Sequence, residues 1–231
     1  MISVCMATYN GAKYLREQVD SILLQLKEDD ELIVSDDGSK DATIEILKSY
    51  NDSRIKIFYN RQNHGVNGNF ENALIHAKGD YIFLSDQDDV WHQNKVNICV
   101  DALKENDCII HDCQITDGSL NILSESLLKE LGARNGIITN ILKNGFTGCC
   151  MAFKREVLNS VIPFPKSTRF YHDQWIGLKA SLKFKTTYIN QSLIYFRRHS
   201  TNSSSAATKS RLSYLDKIFY RLLLCKALIF N

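Results

Sequence analysis

Proline is almost missing from the 231-residue chain: only Pro163 and Pro165 occur, so no proline-rich linker divides it. No uninterrupted apolar run approaches the roughly 20 residues that cross a bilayer. The start, Met1-Ile-Ser-Val-Cys-Met-Ala7, lacks the basic end and long apolar stretch of a secretory signal. An excess of either charge is missing too, and a formal net charge of +2 is too small for a dedicated nucleic-acid binder. No Gly-x-Gly-x-x-Gly follows the first apolar strand, which disfavours a dinucleotide-dependent dehydrogenase. Seven cysteines make an odd count with no Cys-x-x-Cys pair, and several sit inside apolar runs, as buried thiols in a reducing compartment do. Together these absences predict a cytoplasmic protein with no nucleic-acid partner.

What is present is a regular alternation. Residues 2–7, 31–35, 55–59 and 81–84 are short apolar runs of strand length. The first three lead through polar loops into helical spacing: Leu15, Val19, Ile22 and Leu26, then Ile44 and Leu47, then Phe70, Ala73, Leu74 and Ala77. A fourth helix over about 93–104 leads to another apolar strand at 108–111. Four such units predict an α/β, Rossmann-like fold with a mostly parallel sheet and helices on both faces. Ligands of these sheets bind where the carboxyl ends of the strands open onto loops, so the loops after strands one, two and four should line one cleft. Beyond residue 112 the alternation stops. A strand is predicted at 148–153, short helices at 155–159 and from His172 to Leu182, and strand structure over 186–197. The expected organisation is a 1–207 domain in two halves, 1–112 and 113–207, followed by a 208–231 tail.

The fourth strand runs straight into Ser85-Asp-Gln-Asp-Asp-Val-Trp91. Residues two apart in extended chain share a face, so Asp86 and Asp88 should face one way and Asp89 the other. Two like charges on one face repel unless a cation lies between them, and a divalent metal meets that need. Asp89, pointing away, is expected to cap the helix that follows.

Five features in order now carry a resemblance: Ala7-Thr-Tyr-Asn-Gly11, Ser35-Asp-Asp-Gly-Ser39, Ala77-Lys-Gly-Asp80, Asp86-Gln-Asp-Asp89 and His172-Asp173. The chain resembles a family 2 glycosyltransferase of the GT-A fold over about residues 1–200. The resemblance implies an inverting transfer from a nucleotide-sugar donor to a hydroxyl of a glycan or lipid-linked saccharide. It implies that 1–112 is the donor half and 113–207 the acceptor half. Ala7, Thr8, Tyr9, Asn10, Asp37, Asn67, Ser85, Asp86, Gln87 and Arg197 would hold the donor, with Asp37 accepting the N3–H of a pyrimidine. Mg²⁺ or Mn²⁺ would be held by Asp88, Asp86 and His199, and Asp173 would be the base that deprotonates the acceptor. Where many relatives place an arginine before the third helix, this chain has Gly65-Val-Asn-Gly-Asn69, with Arg61 just upstream. Ser85–Trp91 and Tyr195-Phe-Arg-Arg-His199 are similar to bacterial rhamnosyltransferases of surface-polysaccharide and O-antigen synthesis, implying a dTDP-rhamnose or UDP-sugar donor. A nucleotidyltransferase is one alternative, but no glycine-rich loop with Lys or Arg follows strand one. A non-catalytic nucleotide-sugar-binding module is another, and Asp88 and Asp173 together argue against it.

In the tail, Leu212, Leu215, Phe219, Leu222 and Leu223 fall at helical spacing among Lys209, Arg211, Lys217, Arg221 and Lys226. A basic amphipathic helix over 209–230 is expected to lie on the inner face of the cell membrane, or to pack on the domain or on a second subunit of a homodimer.

Overall fold

The computed structural model describes residues 1–165, 170–199 and 213–230. Among the described residues nine strands form one sheet: β1 (Ile2–Thr8), β2 (Glu31–Asp36), β3 (Ile55–Tyr59), β4 (Tyr81–Ser85), β5 (Val90–Trp91), β6 (Cys108–Thr116), β7 (Ile122–Ser124), β8 (Met151–Lys154) and β9 (Thr186–Arg197). The order is β3-β2-β1-β4-β8-β6-β9-β5, with β7 paired to β6. The four amino-terminal strands are parallel neighbours. β8 runs against both β4 and β6, and β9 is again parallel to β6. The alternation predicted a mostly parallel sheet, and six of its strands do point one way. The expected strand at 148–153 begins later, because Gly148–Cys150 forms a 3-10 turn before β8.

Local sequence explains the layers. In α1 (Leu15–Leu23), Leu15, Val19 and Ile22 form a buried face at three- and four-residue intervals. In α3 (Val66–Ile75), Phe70, Ala73 and Leu74 do the same. Each large apolar side chain so buried contributes about 1.5–3 kcal/mol relative to exposure. Gln18 on the α1 face is buried yet satisfied, donating to Ser85 Oγ at 2.7 Å and the Asp86 carbonyl at 2.9 Å. That polar peg fixes the point where β4 ends. The remaining helices are α2 (Thr43–Ser49), α4 (Lys95–Glu105), α5 (Leu127–Leu131), α6 (Ile137–Leu142), α7 (Arg155–Val161), α8 (His172–Lys183) and α9 (Tyr214–Phe230).

α9 meets the tail expectation in part. Leu224 is buried, Tyr220 donates its hydroxyl to the Gln174 side chain on α8, and Arg221 donates to the Leu142 carbonyl at 2.7 Å. One face of the helix thus packs on the domain. Leu215, Phe219 and Leu222 point outward, whereas Leu223 is half-buried. Lys209, Arg211, Leu212 and the serine-rich stretch 200–207 lie outside the described residues.

The turn between α3 and β4 needs glycine. A Cβ on Gly79 would sit 2.6–2.8 Å from the Ser3 nitrogen, the Ile2 carbonyl carbon and the Met1 oxygen, all main-chain atoms. Arg155 closes the same turn by donating to the Gly79 carbonyl at 2.8 Å and the Ala77 carbonyl at 3.0 Å. Gly79→Ala should therefore destabilise the fold by about 1–3 kcal/mol. Urea denaturation would read this as a lowered midpoint with an unchanged slope.

Candidate active site

The expected alternation of Asp86, Asp88 and Asp89 does not survive folding. β4 ends at Ser85, the chain bends through 86–89, and β5 begins at Val90. Asp89 is not a helix cap. α4 starts six residues later at Lys95, and its cap position is Asn94. Asp89 is instead wholly buried, accepting the Arg197 main-chain N–H at 3.0 Å, with no hydrogen-bond partner on Oδ2. Carboxylate oxygens of Asp86 and Asp89 and the Cys149 sulfur lie within 4.8 Å of one another. Asp88 turns to His199, whose Nε2 is 2.8 Å from Asp88 Oδ2.

Electrostatics follow from that crowding. Burial, with Asp88 and Asp173 nearby, pushes Asp86 up to about 7. Asp89 is raised well above the usual carboxylate range, by burial first and then by Asp88 and Asp86. Burial also raises Asp88, opposed by its bond to His199. These are the marks of a site short of positive charge, and carboxylates with an imidazole form a donor set that a Mg²⁺ or Mn²⁺ ion fits. Cys149 is a poor ligand for such an ion. Its hydrogen bond with Cys150 and its burial hold the thiol well above its ordinary value, hence protonated.

Two cations support the cluster from behind. The Arg197 guanidinium is buried, lies 4.5 Å from the centre of the Tyr14 ring and pairs with Glu17. Its main-chain N–H therefore holds Asp89 while its side chain reaches back to α1. Lys95 was missed from the sequence. It is fully buried, donates to the Cys149 carbonyl at 2.9 Å, and stands 4.0 Å from the centre of the Trp91 ring. Burial lowers its pKa, opposed by Cys99, Cys150, Cys149 and Asp89. The available signal was a lysine in the apolar register of its helix, at four-residue steps from Cys99 and Leu103.

The loops after β1 and β2 meet this cluster. Gln87 clamps the Tyr9 main chain, accepting its N–H at 2.9 Å and donating to its carbonyl at 3.0 Å, while the Tyr9 ring is exposed. Thr8 donates to Asp36 at 3.1 Å, and Asn10 accepts the Lys40 N–H at 2.8 Å. Ala7 precedes them in β1. Asp36 anchors the turn, accepting the N–H groups of Gly38 and Ser39. Asp37 receives the 60–65 loop: Gly65 N–H at 2.7 Å on Oδ2, and Asn60 at 2.9 Å and His64 at 2.7 Å on Oδ1. A carboxylate has about four acceptor positions, so one remains, on Oδ2. Asn67 spends its amide on α8, donating to the Phe170 carbonyl and accepting the His172 N–H, both at 2.8 Å.

Asp173 lies in the first turn of α8 and accepts the Gln174 N–H at 2.6 Å, with Gly148 as a second main-chain donor. Burial pushes it up to about 6. Gly148 and Cys149 are consecutive, so one 3-10 turn separates Asp173 from Asp86 and Asp89. His172 is stacked on Phe70 at 4.0 Å and, by burial, pushed down to about 3, so it stays neutral.

The fold and site define an α/β protein of the GT-A fold with an acidic cluster at the end of β4. A family model described as glycosyl transferase family 2 matches residues 3–162. TuaG of Bacillus subtilis, named for teichuronic acid biosynthesis, is 34% identical over 227 residues, covering 96% of this chain and 87% of TuaG. The chain belongs to glycosyl transferase family 2. WfgD of Escherichia coli, a UDP-Glc:alpha-D-GlcNAc-diphosphoundecaprenol beta-1,3-glucosyltransferase, is 28% identical over 213 residues, 90% of this chain and 81% of WfgD. Among solved structures, S. aureus TarS 1–349 in complex with UDP-GlcNAc matches with a TM-score of 0.74 and 21% identity, over all of this chain. This chain spans 66% of that one. Glucosyl-3-phosphoglycerate synthase from Mycobacterium tuberculosis, in complex with Mn²⁺, UDP and phosphoglyceric acid, matches with a TM-score of 0.60 at 19% identity, over 86% of this chain and 71% of that one.

The 60–65 loop reaches Asp37 only because Gly68 lacks a side chain. A Cβ there would lie 1.8 Å from the Asn63 carbonyl oxygen. Gly68→Ala should detach this loop from Asp37, read as new protease cleavage within 60–65 together with a lowered thermal transition.

Proposed function

We propose that the chain is an inverting glycosyltransferase of bacterial surface-polysaccharide synthesis, acting at the cytoplasmic face of the membrane. It would move a hexose, rhamnose in the favoured case, from a dTDP- or UDP-sugar to a hydroxyl of a glycan or lipid-linked saccharide. One observation carries this reading: Asp86 and Asp89 crowd together, Asp88 pairs with His199 beside them, and a further carboxyl, Asp173, stands a single turn away. The names of the relatives support the donor and acceptor classes, since TarS is seen with UDP-GlcNAc and WfgD acts on a diphosphoundecaprenol-linked sugar. The motifs at 85–91 and 195–199 favour rhamnose.

In this reading residues 1–112 hold the donor and 113–207 face the acceptor. Tyr9 offers an exposed ring on which a base can stack, and the open position on Asp37 Oδ2 accepts a pyrimidine N3–H. Ala7, Thr8, Asn10, Ser85 and Gln87 shape the floor between them. Asp88, Asp86 and His199 would hold Mg²⁺ or Mn²⁺, which when bound neutralises the diphosphate leaving group. Arg197 keeps Asp89 and the 86–89 bend in place. Asp173 takes the proton of the acceptor hydroxyl as its oxygen bonds to the anomeric carbon and the bond to the diphosphate breaks.

Asp173→Asn should leave donor binding intact and reduce turnover by about 10²–10⁴-fold; unchanged turnover removes Asp173 from the mechanism. A base with its pKa pushed up to about 6 is protonated and idle below that value, so transfer should rise with pH through about 6. The raised pKa also means that the fold binds this proton more tightly than the unfolded chain. Stability is therefore lost as pH rises from the ordinary 3.8 toward about 6. The Asn variant, freed of that loss, should melt higher than the wild type above pH 6 while being inactive.

Asp88→Ala should abolish metal-dependent nucleotide binding. Thermal-shift titration with Mn²⁺ and UDP, dTDP or GDP measures it, and a response to GDP alone would overturn the pyrimidine assignment.

A further inference from the structure

A helix packed on a domain ordinarily turns its polar side to water; α9, with Leu224 buried against the domain, turns a second apolar face to water. Leu215, Leu222 and Ile229 recur at seven-residue intervals on the side away from Leu224 and are 76%, 63% and 74% exposed. Ile218 shares that stripe. On α6, which α9 touches through Arg221 and the Leu142 carbonyl, Ile138 and Leu142 are 72% and 56% exposed. The charges around this surface are mostly basic. Lys226 lies on the stripe between Leu222 and Ile229, and Lys143 and Arg134 are exposed at either end of α6. The only acid of α9, Asp216, is occupied at the start of its own helix by the Ser213 N–H and hydroxyl.

We propose that the outward face of α9, continued by Ile138 and Leu142 of α6, docks on an anionic lipid surface. An apolar stripe flanked by cations fits the boundary between acyl chains and acidic headgroups. Lys226 distinguishes this occupant from a second copy of the chain. Two such stripes laid together would enclose its ammonium among apolar side chains, whereas at a lipid surface the stem lies along the apolar face and the ammonium reaches the headgroups. The docked face stands directly behind the candidate base, because Tyr220 holds Gln174, the neighbour of Asp173. That positional consequence rests on the role proposed for Asp173; docking itself does not, and its test needs no donor or turnover.

The full chain should float with vesicles of equal parts phosphatidylglycerol and phosphatidylcholine. Binding should be about tenfold weaker on phosphatidylcholine alone or in high salt. Leu215→Glu with Leu222→Glu should cut binding at least about tenfold at an unchanged thermal transition, since both side chains already face water. Lys226→Glu should weaken binding to the anionic vesicles only. Failure of the wild type to float overturns the proposal, as does equal flotation by the double variant. A solution dimer by light scattering that the double variant dissociates would assign the face to a second copy instead.

Discussion

The constraint on which the rest depends is the crowding of three carboxylates, Asp89 buried and Asp86 and Asp88 half-buried, at the end of one buried strand. Taking ionised carboxylates out of water costs several kcal/mol each unless counter-charge or donated hydrogen bonds offset it. The chain meets that cost with parts drawn from far apart in sequence. Arg197 gives its main-chain N–H to Asp89, and His199 gives a ring nitrogen to Asp88. Lys95 lies beneath, anchored to the Cys149 carbonyl. The carboxyls remain raised even so, and such a cluster is poised for a further cation.

That constraint explains why the second half of the chain completes the sheet. β9 must pass beside β6 and β5 for Arg197 and His199 to reach the acids, and β5 pairs with β9 at Val90 and Trp91. The 3-10 turn at Gly148–Cys150 is the hinge of the arrangement in a static sense. One side carries Cys149 against Asp86 and Asp89, and the other offers Gly148 to Asp173. A Cβ on Gly148 would meet His172 Nε2 at 2.6 Å, so the turn and the start of α8 are in close contact. Shifts in any of the three would be felt by the others.

Much of the fold was legible because its signals are local. Apolar runs of strand length followed by helical spacing marked β1 to β4 and the helices between them, and the carboxyl ends of those strands do converge. Gln87 and Asp37 lie where the loop reading placed them, though Gln87 is engaged with the Tyr9 main chain and Asp37 with the 60–65 loop. The misses were non-local. Asp89 was expected to cap a helix, because strand alternation was extended through a bend that exists only where β4 gives way to β5. Lys95 was passed over as an ordinary helix residue, although its register with Cys99 and Leu103 put it inside. The bridge that the Asn67 amide makes to the start of α8, a contact more than 100 residues distant in sequence, was likewise beyond local spacing.

The sequence by itself determined that the first 112 residues build strand–helix units, that acidic residues stand at the end of the fourth strand, and which family the motifs resemble. Periodicity and short motifs are written in neighbouring residues, so they can be read without the fold. Only the tertiary structure decided that Asp89 turns inward with Asp86 while Asp88 goes to His199, and that Arg197 and Lys95 stand behind them. It alone decided which side of α9 faces water. Those outcomes depend on which charges can be brought together in a buried volume, and sequence spacing does not encode that.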